Sequence, residues 1–119
     1  MLRFPLHIAI NVSDLQTADY FYGRVLGLSK VDRTLKFPGT WYQLGEFQIH
    51  LIVADRDYVR PAVNEKWGRR PHLAFAIADL EAVRQRLTEA NAPIQTSASG
   101  RAALFTHDPD GNIIELSQV

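Results

Sequence analysis

Bulky apolar residues alternate with small or polar ones from the start of the chain. Leu6, Ile8, Ile10 and Val12 share one parity, and His7, Ala9 and Asn11 take the other. A period of two predicts a strand over Phe4–Val12 with one buried side. Ser13, followed three residues later by Gln16, forms a capping-box pattern. It opens a run in which Leu15, Ala18, Tyr22, Val25 and Leu26 recur at helical spacing, and Gly27 can close that helix in a left-handed cap. Strand-like stretches follow at Leu28–Thr34, Thr40–Leu44 and Phe47–Ala54, broken by Phe37-Pro38-Gly39 and Gly45-Glu46.

The same order then begins again. Pro71–Ile77 reads as a strand, and a helix runs from an Asp79 cap through Leu80, Val83, Leu87 and Ala90 to Asn91-Ala92-Pro93. Strands at Ile94–Ser97, Arg101–Thr106 and Asn112–Ser117 complete the second half. Asp108-Pro109-Asp110-Gly111-Asn112 is a tight-turn sequence, because proline presets one φ, glycine permits a positive one, and Asp and Asn bond their own backbone. The pattern predicts an α+β domain over 1–119: a βαβββ module at about 4–54, a polar linker at about 55–69 and a second module at about 70–119. The halves are also alike residue by residue. His7-Ile8-Ala9 returns as His72-Leu73-Ala74 at an offset of 65 residues, and the same offset carries Ile49-His50-Leu51 onto Ile114-Glu115-Leu116. Self-similarity on this scale makes the half-chain the building unit.

Composition narrows the function classes. With 13 basic and 13 acidic residues the formal charge is zero, so the broad positive field that holds a phosphate backbone is missing and nucleic acid is not an expected partner. No apolar run approaches the ~20 residues needed to span a bilayer, and Pro5, His7 and Asn11 interrupt any signal-peptide core. There is no cysteine, in keeping with a reducing compartment. The expectation is a soluble, cytoplasmic protein acting on a small molecule, with neither membrane nor nucleic-acid partner.

On each repeated strand the apolar residues hold one parity and a metal-competent residue holds the other: His7, His50, His72 and Glu115. If the apolar parity packs against helices, these four side chains line the opposite face of the sheet. A single strand histidine is most often incidental, but four such residues at matched parity and offset point to one metal site. Three imidazoles and a carboxylate suit one divalent ion such as Zn, Ni, Co, Mn or Fe(II). Two open positions could take two adjacent substrate oxygens, with the ion stabilising a developing enolate or alkoxide as a Lewis acid. Glu115, the one carboxylate of the set, is the candidate to accept a proton from a carbon acid, with a purely structural ligand role as the alternative. Trp41 and Tyr42 could floor a pocket or belong to the core. Arg101 could face the site, as could Asn11 on the His7 face. Arg56, Arg60, Lys66, Arg69 and Arg70 could receive an anionic group or form a solvated linker. His107, beside the turn, reads as turn packing.

These residues carry a family likeness. His7 to Leu15, Phe21-Tyr22 with Leu26-Gly27-Leu28, His72-Leu73-Ala74-Phe75 and Asp108 to Leu116 together resemble the vicinal oxygen chelate superfamily of glyoxalase I, methylmalonyl-CoA epimerase, extradiol dioxygenases, and fosfomycin and bleomycin resistance proteins. The resemblance implies two paired βαβββ modules in a cupped mixed sheet, helices on the outer face and a metal inside held by His7, His50, His72 and Glu115, often with a homodimer completing the site. It implies a lyase or isomerase of glyoxalase type. Glyoxalase I and the epimerase carry Glu or Gln where this chain has His50, and the bacterial glyoxalases place Arg and Asn where this chain has Asn11 and Ala54. Fosfomycin transferases have Thr where this chain has Ala9, and they lack a ligand at the position of His50. Two rival readings follow from the same resemblance. One is an Fe(II) extradiol dioxygenase built on His7, His72 and Glu115, with His107 and Tyr42 for acid–base work. The other is a metal-free antibiotic-binding protein of bleomycin-resistance type.

Overall fold

The computed structural model describes residues 1–34 and 36–119. They form two compact units, Met1–Asp57 and Tyr58–Val119. The first holds β1 (His7–Val12), α1 (Leu15–Asp19), a π-helical continuation over Tyr20–Val25, then β2 (Ser29–Val31), β3 (Gly39–Leu44) and β4 (Phe47–Val53). The second holds a 3-10 turn (Trp67–Arg69), β5 (His72–Ile77), α2 (Leu80–Glu89), β6 (Gln95–Thr96), β7 (Ala103–His107) and β8 (Ile113–Gln118). Each unit is a mixed four-stranded sheet, of order β1-β4-β3-β2 in one and β5-β8-β7-β6 in the other. The first strand runs parallel to the last and the rest are antiparallel. This is the α+β architecture of two βαβββ modules that the hydrophobic pattern predicts. Among the described residues, no helix is long and apolar enough to cross a membrane.

The alternation works as expected. Ile10, Val12, Tyr42, Ile49 and Leu51 are buried with Ala18, Phe21, Tyr22 and Val25 of the helical segment, which packs on β3 and β4. In the second unit Leu87 of α2 is buried, as are Leu104, Ile114 and Leu116 of the sheet. The first helix is capped by Asp14 rather than by Ser13. Asp14 is still extended (φ −136°, ψ 120°) and accepts from the Thr17 N–H at 2.9 Å, so the strand conformation runs one residue further than the capping-box pattern implies. Asp79, at the equivalent place, caps α2 by accepting from the Ala82 N–H at 3.2 Å.

The repeat contains two offsetting insertions. Ala9 lies opposite His50, and Ala74 opposite Glu115, which keeps the offset of 65. Trp41 lies opposite His50 and Phe105 opposite Glu115, which is an offset of 64. The first extra residue is the π turn of unit one, where the Leu26 N–H reaches back five residues to the Phe21 carbonyl at 2.9 Å; a π-bulge is a one-residue insertion into an α-helix. The second is in the β7–β8 turn. There Asp108 accepts from the backbone N–H groups of Asp110 and Asn112, both at 2.9 Å, and Gly111 has φ +92°.

The polar segment before β5 belongs to the second unit. Trp67 is 2% exposed and packs with Phe105 and Ile113. Its indole N–H donates to the Ala62 carbonyl, and its backbone N–H donates to Gln95 Oε1, both at 2.9 Å. Phe105 and Ile113 share the strand parity of Glu115, so this segment lies over part of the face of its own sheet that carries Glu115. Hydrophobic periodicity does not reveal it, because a single aromatic anchor has no period.

Candidate metal centre

In the first unit, register brings Ala9, His50 and Trp41 side by side across β1, β4 and β3. The small Ala9 side chain leaves room for His7 to lie on His50. Their rings stack with centroids 4.0 Å apart and planes at 15°, and Trp41 stacks on His50 at 4.2 Å and 9°. The three rings border a cavity of about 610 Å³ together with Leu6, Phe37, Glu46, Gln48 and Ile52. Burial, then the charges of His7 and Arg33, push the His50 imidazole below its ordinary pKa, which favours the neutral, metal-competent form. His50 Nε2 is hydrogen-bonded to Gln48 Oε1 at 2.8 Å. Gln48 donates through Nε2 to Gln43 Oε1, and Gln43 donates through Nε2 to the Gly45 carbonyl, both at 2.7 Å.

In the second unit, His72 and Glu115 form the corresponding pair. The His72 Nδ1–H donates to the Arg70 carbonyl at 2.7 Å, which fixes Nε2 as the lone-pair nitrogen of the neutral ring. That Nε2 lies 3.1 Å from Glu115 Oε1. Glu115 Oε2 accepts from the Ser117 hydroxyl at 2.6 Å and lies 3.5 Å from Arg101 Nη1. The Ser117 hydrogen bond is the main influence holding the Glu115 carboxyl below its usual pKa; burial opposes it, and Arg101 and His72 add to it. Glu115 is therefore an ionised carboxylate at neutral pH. Glu115 borders a cavity of about 610 Å³ together with Lys66, Arg69, Ser97, Ser99, Arg101 and Phe105.

The donor chemistry fits a divalent ion. With the Nδ1 proton on the Arg70 carbonyl, Nε2 at 3.1 Å from a carboxylate oxygen calls for a proton or a cation between the two atoms. Adjacent ligands of an ion with bonds of about 2.1 Å lie about 3 Å apart. The Arg70 carbonyl on Nδ1 is also the kind of partner that orients metal-binding imidazoles. Among the described residues no three His, Asp or Glu side chains converge: His7 lies with His50, and His72 with Glu115.

The remaining candidates divide. Trp41 lines the first cavity, Asn11 keeps the His7 parity, and Arg101 reaches Glu115. Tyr42 lines neither of these two cavities. It is fully buried on the helix side, where its hydroxyl donates to Asp19 Oδ1, because it stands at the opposite parity to Trp41. His107 is buried in the turn, with Nδ1 on the Asp108 carbonyl at 2.8 Å. Of the linker cations, Arg70 pairs with Glu65 at 3.5 Å, while Lys66 and Arg69 border the second cavity. The sequence reading missed Gln43, Gln48 and Ser117. Gln48 and Ser117 stand two residues from His50 and Glu115 on the same strand face, so parity could have found them.

The chain has relatives of known name. It is 32% identical over 120 residues to glutathione transferase FosA of Serratia marcescens, covering 98% of this chain and 81% of that protein. It is 28% identical over 120 residues to Glyoxylase I 4 of Arabidopsis thaliana, covering 92% and 67%. The fold matches a glyoxalase/dioxygenase from Nostoc punctiforme with a TM-score of 0.79 at 25% identity, over 98% of this chain and 90% of that one. It also matches the fosfomycin resistance protein FosX of Listeria monocytogenes, a structure holding Mn(II) and 1S,2S-dihydroxypropylphosphonic acid, with a TM-score of 0.79 over 99% and 93%; at 17% identity that likeness concerns the fold alone. Residues 5–116 match the profile of one family, a span that contains His7, His50, His72 and Glu115, and the chain belongs to the Glyoxalase/Bleomycin resistance protein/Dioxygenase superfamily.

Proposed function

We propose that this protein is a divalent-metal-dependent lyase or isomerase that holds a small substrate by two neighbouring oxygens and moves a proton at the adjacent carbon. The observation that carries the reading is the approach of His72 Nε2 to Glu115 Oε1 at 3.1 Å, with the Arg70 carbonyl holding the Nδ1 proton and turning Nε2 toward the carboxylate. His7, His50, His72 and Glu115 would hold the ion, which would supply Lewis-acid stabilisation to charge developing on the substrate oxygens. Glu115 stays ionised through Ser117 and Arg101, so it enters the reaction as a proton acceptor. Arg101 and the Ser117 hydroxyl can hold Oε2 while Oε1, on leaving the ion, takes up the proton. Trp41, stacked on His50, presents an apolar wall. Lys66, Arg69 and Arg101 border the second cavity and suit an anionic substituent on the substrate. The FosA relative does not move the reading to fosfomycin chemistry, because Ala9 and His50 both depart from that pattern.

Elemental analysis of protein purified without chelator tests the centre, with His72→Ala and Glu115→Ala expected to lose the metal. Incorporation of deuterium from solvent at the α-carbon of hydroxy-ketone or thioester substrates tests the reaction. Oxygen consumption with a catechol under Fe(II) would replace it with ring cleavage. Tight binding of an aromatic or glycopeptide ligand by metal-stripped protein, with no turnover of any substrate, would replace it with sequestration.

A further inference from the structure

The amide chain behind His50 has a direction, and the direction has a consequence for the metal. The Gly45 carbonyl can only accept, so the Gln43 group facing it at 2.7 Å is the NH₂ end and its Oε1 faces Gln48. That oxygen accepts from the NH₂ of Gln48, also at 2.7 Å, which turns Gln48 Oε1 toward His50. A carbonyl oxygen at 2.8 Å from His50 Nε2 requires a proton on that nitrogen. Flipping either amide would set oxygen against oxygen, so the tautomer is imposed from the β3–β4 turn outward.

His72 is held the other way. Its Nδ1–H is tied to the Arg70 carbonyl, and its Nε2 faces Glu115 Oε1 at 3.1 Å, a contact that either a proton or a cation can bridge. The repeat places Ile113 where Gln48 stands, so the second unit has no equivalent of the amide chain. Nε2 is the tip atom of a strand histidine, and His72 presents that atom to its carboxylate partner. We propose that Gln48 is a positioning residue that holds His50 in the Nε2–H tautomer and competes with the metal for that nitrogen, making His50 a conditional ligand while His72 is preset. The inference rests on the metal centre proposed above. Its purpose would be selectivity: an ion must draw His50 away from Gln48 to complete its ligand shell, so a weakly binding ion leaves His50 in place.

Long-range ¹H–¹⁵N NMR of the metal-free full chain reads the tautomers directly. His50 is expected as Nε2–H and His72 with a proton on Nδ1, and in Gln48→Leu His50 should lose its single tautomer while His72 keeps its Nδ1 proton. Zinc titration reads the competition. Gln48→Leu should bind zinc about 2- to 10-fold more tightly, the range that loss of one competing hydrogen bond provides, and in a His50→Ala background the same substitution should change nothing. Gln43→Leu, which leaves Gln48 in place but unanchored, should give a smaller gain in the same direction. His50 in the Nδ1–H form in the metal-free wild type overturns the assignment. Weaker zinc binding by Gln48→Leu overturns the competition, since it would mean that Gln48 orients His50 to bind through Nδ1. Failure of every variant, wild type included, to bind zinc overturns both the competition and the metal centre, while the NMR result still decides the tautomer on its own.

Discussion

Replacing Tyr42 by Phe removes one oxygen from a fully buried ring and leaves its packing against Tyr22 in place. What is lost is the hydrogen bond from the hydroxyl to the Asp19 carboxylate, which ties β3 to the end of α1. Asp19 keeps Lys30 at 3.4 Å, but that lysine is largely exposed and offsets little. A hydrogen bond to a charged group contributes about 1.5–3 kcal/mol, and a domain of this size shifts by about 4 °C per kcal/mol, so Tyr42→Phe should melt about 6–12 °C lower at pH 7. Burial, then the Asp19 hydrogen bond and charge, raise the Tyr42 pKa far above its ordinary value. The unfolded chain titrates near pH 10. A raised folded pKa gives stability that is full below about pH 10 and is lost as the pH rises beyond it. The difference between wild type and variant in urea unfolding should therefore be constant up to about pH 9 and shrink between pH 10 and 11, other ionisations being common to both proteins. Equal stabilities at pH 7, or a gap undiminished at pH 11, would refute the reasoning. Metal content should be unchanged in the variant, because Tyr42 faces away from both ligand pairs.

Three further outcomes follow from the same geometry. Gly111→Ala should destabilise by about 2 kcal/mol or more in denaturant melts, because φ is +92° and a Cβ would come within 2.7 Å of the Val59 carbonyl and 2.8 Å of Arg60 Cα, both backbone atoms that cannot swing away. Trp67→Ala should cost about 3–5 kcal/mol and speed proteolysis of 58–69, since that ring anchors the segment on Phe105 and Ile113; a stability within 1 kcal/mol of wild type would show the anchor to be elsewhere. Metal affinity, followed by competition with a chelator, should fall as pH drops through about 6 and below, because imidazoles must be neutral to coordinate. Retention of full affinity at pH 5 would count against histidine ligands.

Sequence alone determined the two βαβββ modules, because alternating burial and repeat spacing are written into residues such as Ile8, Ile10 and Val12 and their counterparts around Leu73 and Phe75. It determined the parity of His7, His50, His72 and Glu115 for the same reason: the strand period of two leaves a side chain no choice of face once its neighbours are buried. It also singled out the Asp108 turn and the positive φ of Gly27, where local chemistry suffices. Tertiary structure decided everything that depends on which strands are neighbours. Tyr42 and Trp41 are equally aromatic and adjacent in sequence, and only the packing of α1 shows that one is core and the other stacks on His50. The π turn and the longer β7–β8 turn shift the repeat by one residue and back again, which a fixed offset cannot show. Gln43 and Gln48 are ordinary polar strand residues until β3 and β4 pair with Gly45 at the turn. The tautomers of His50 and His72 then follow from which carbonyl each ring meets, a hydrogen-bond fact that no single stretch of sequence contains.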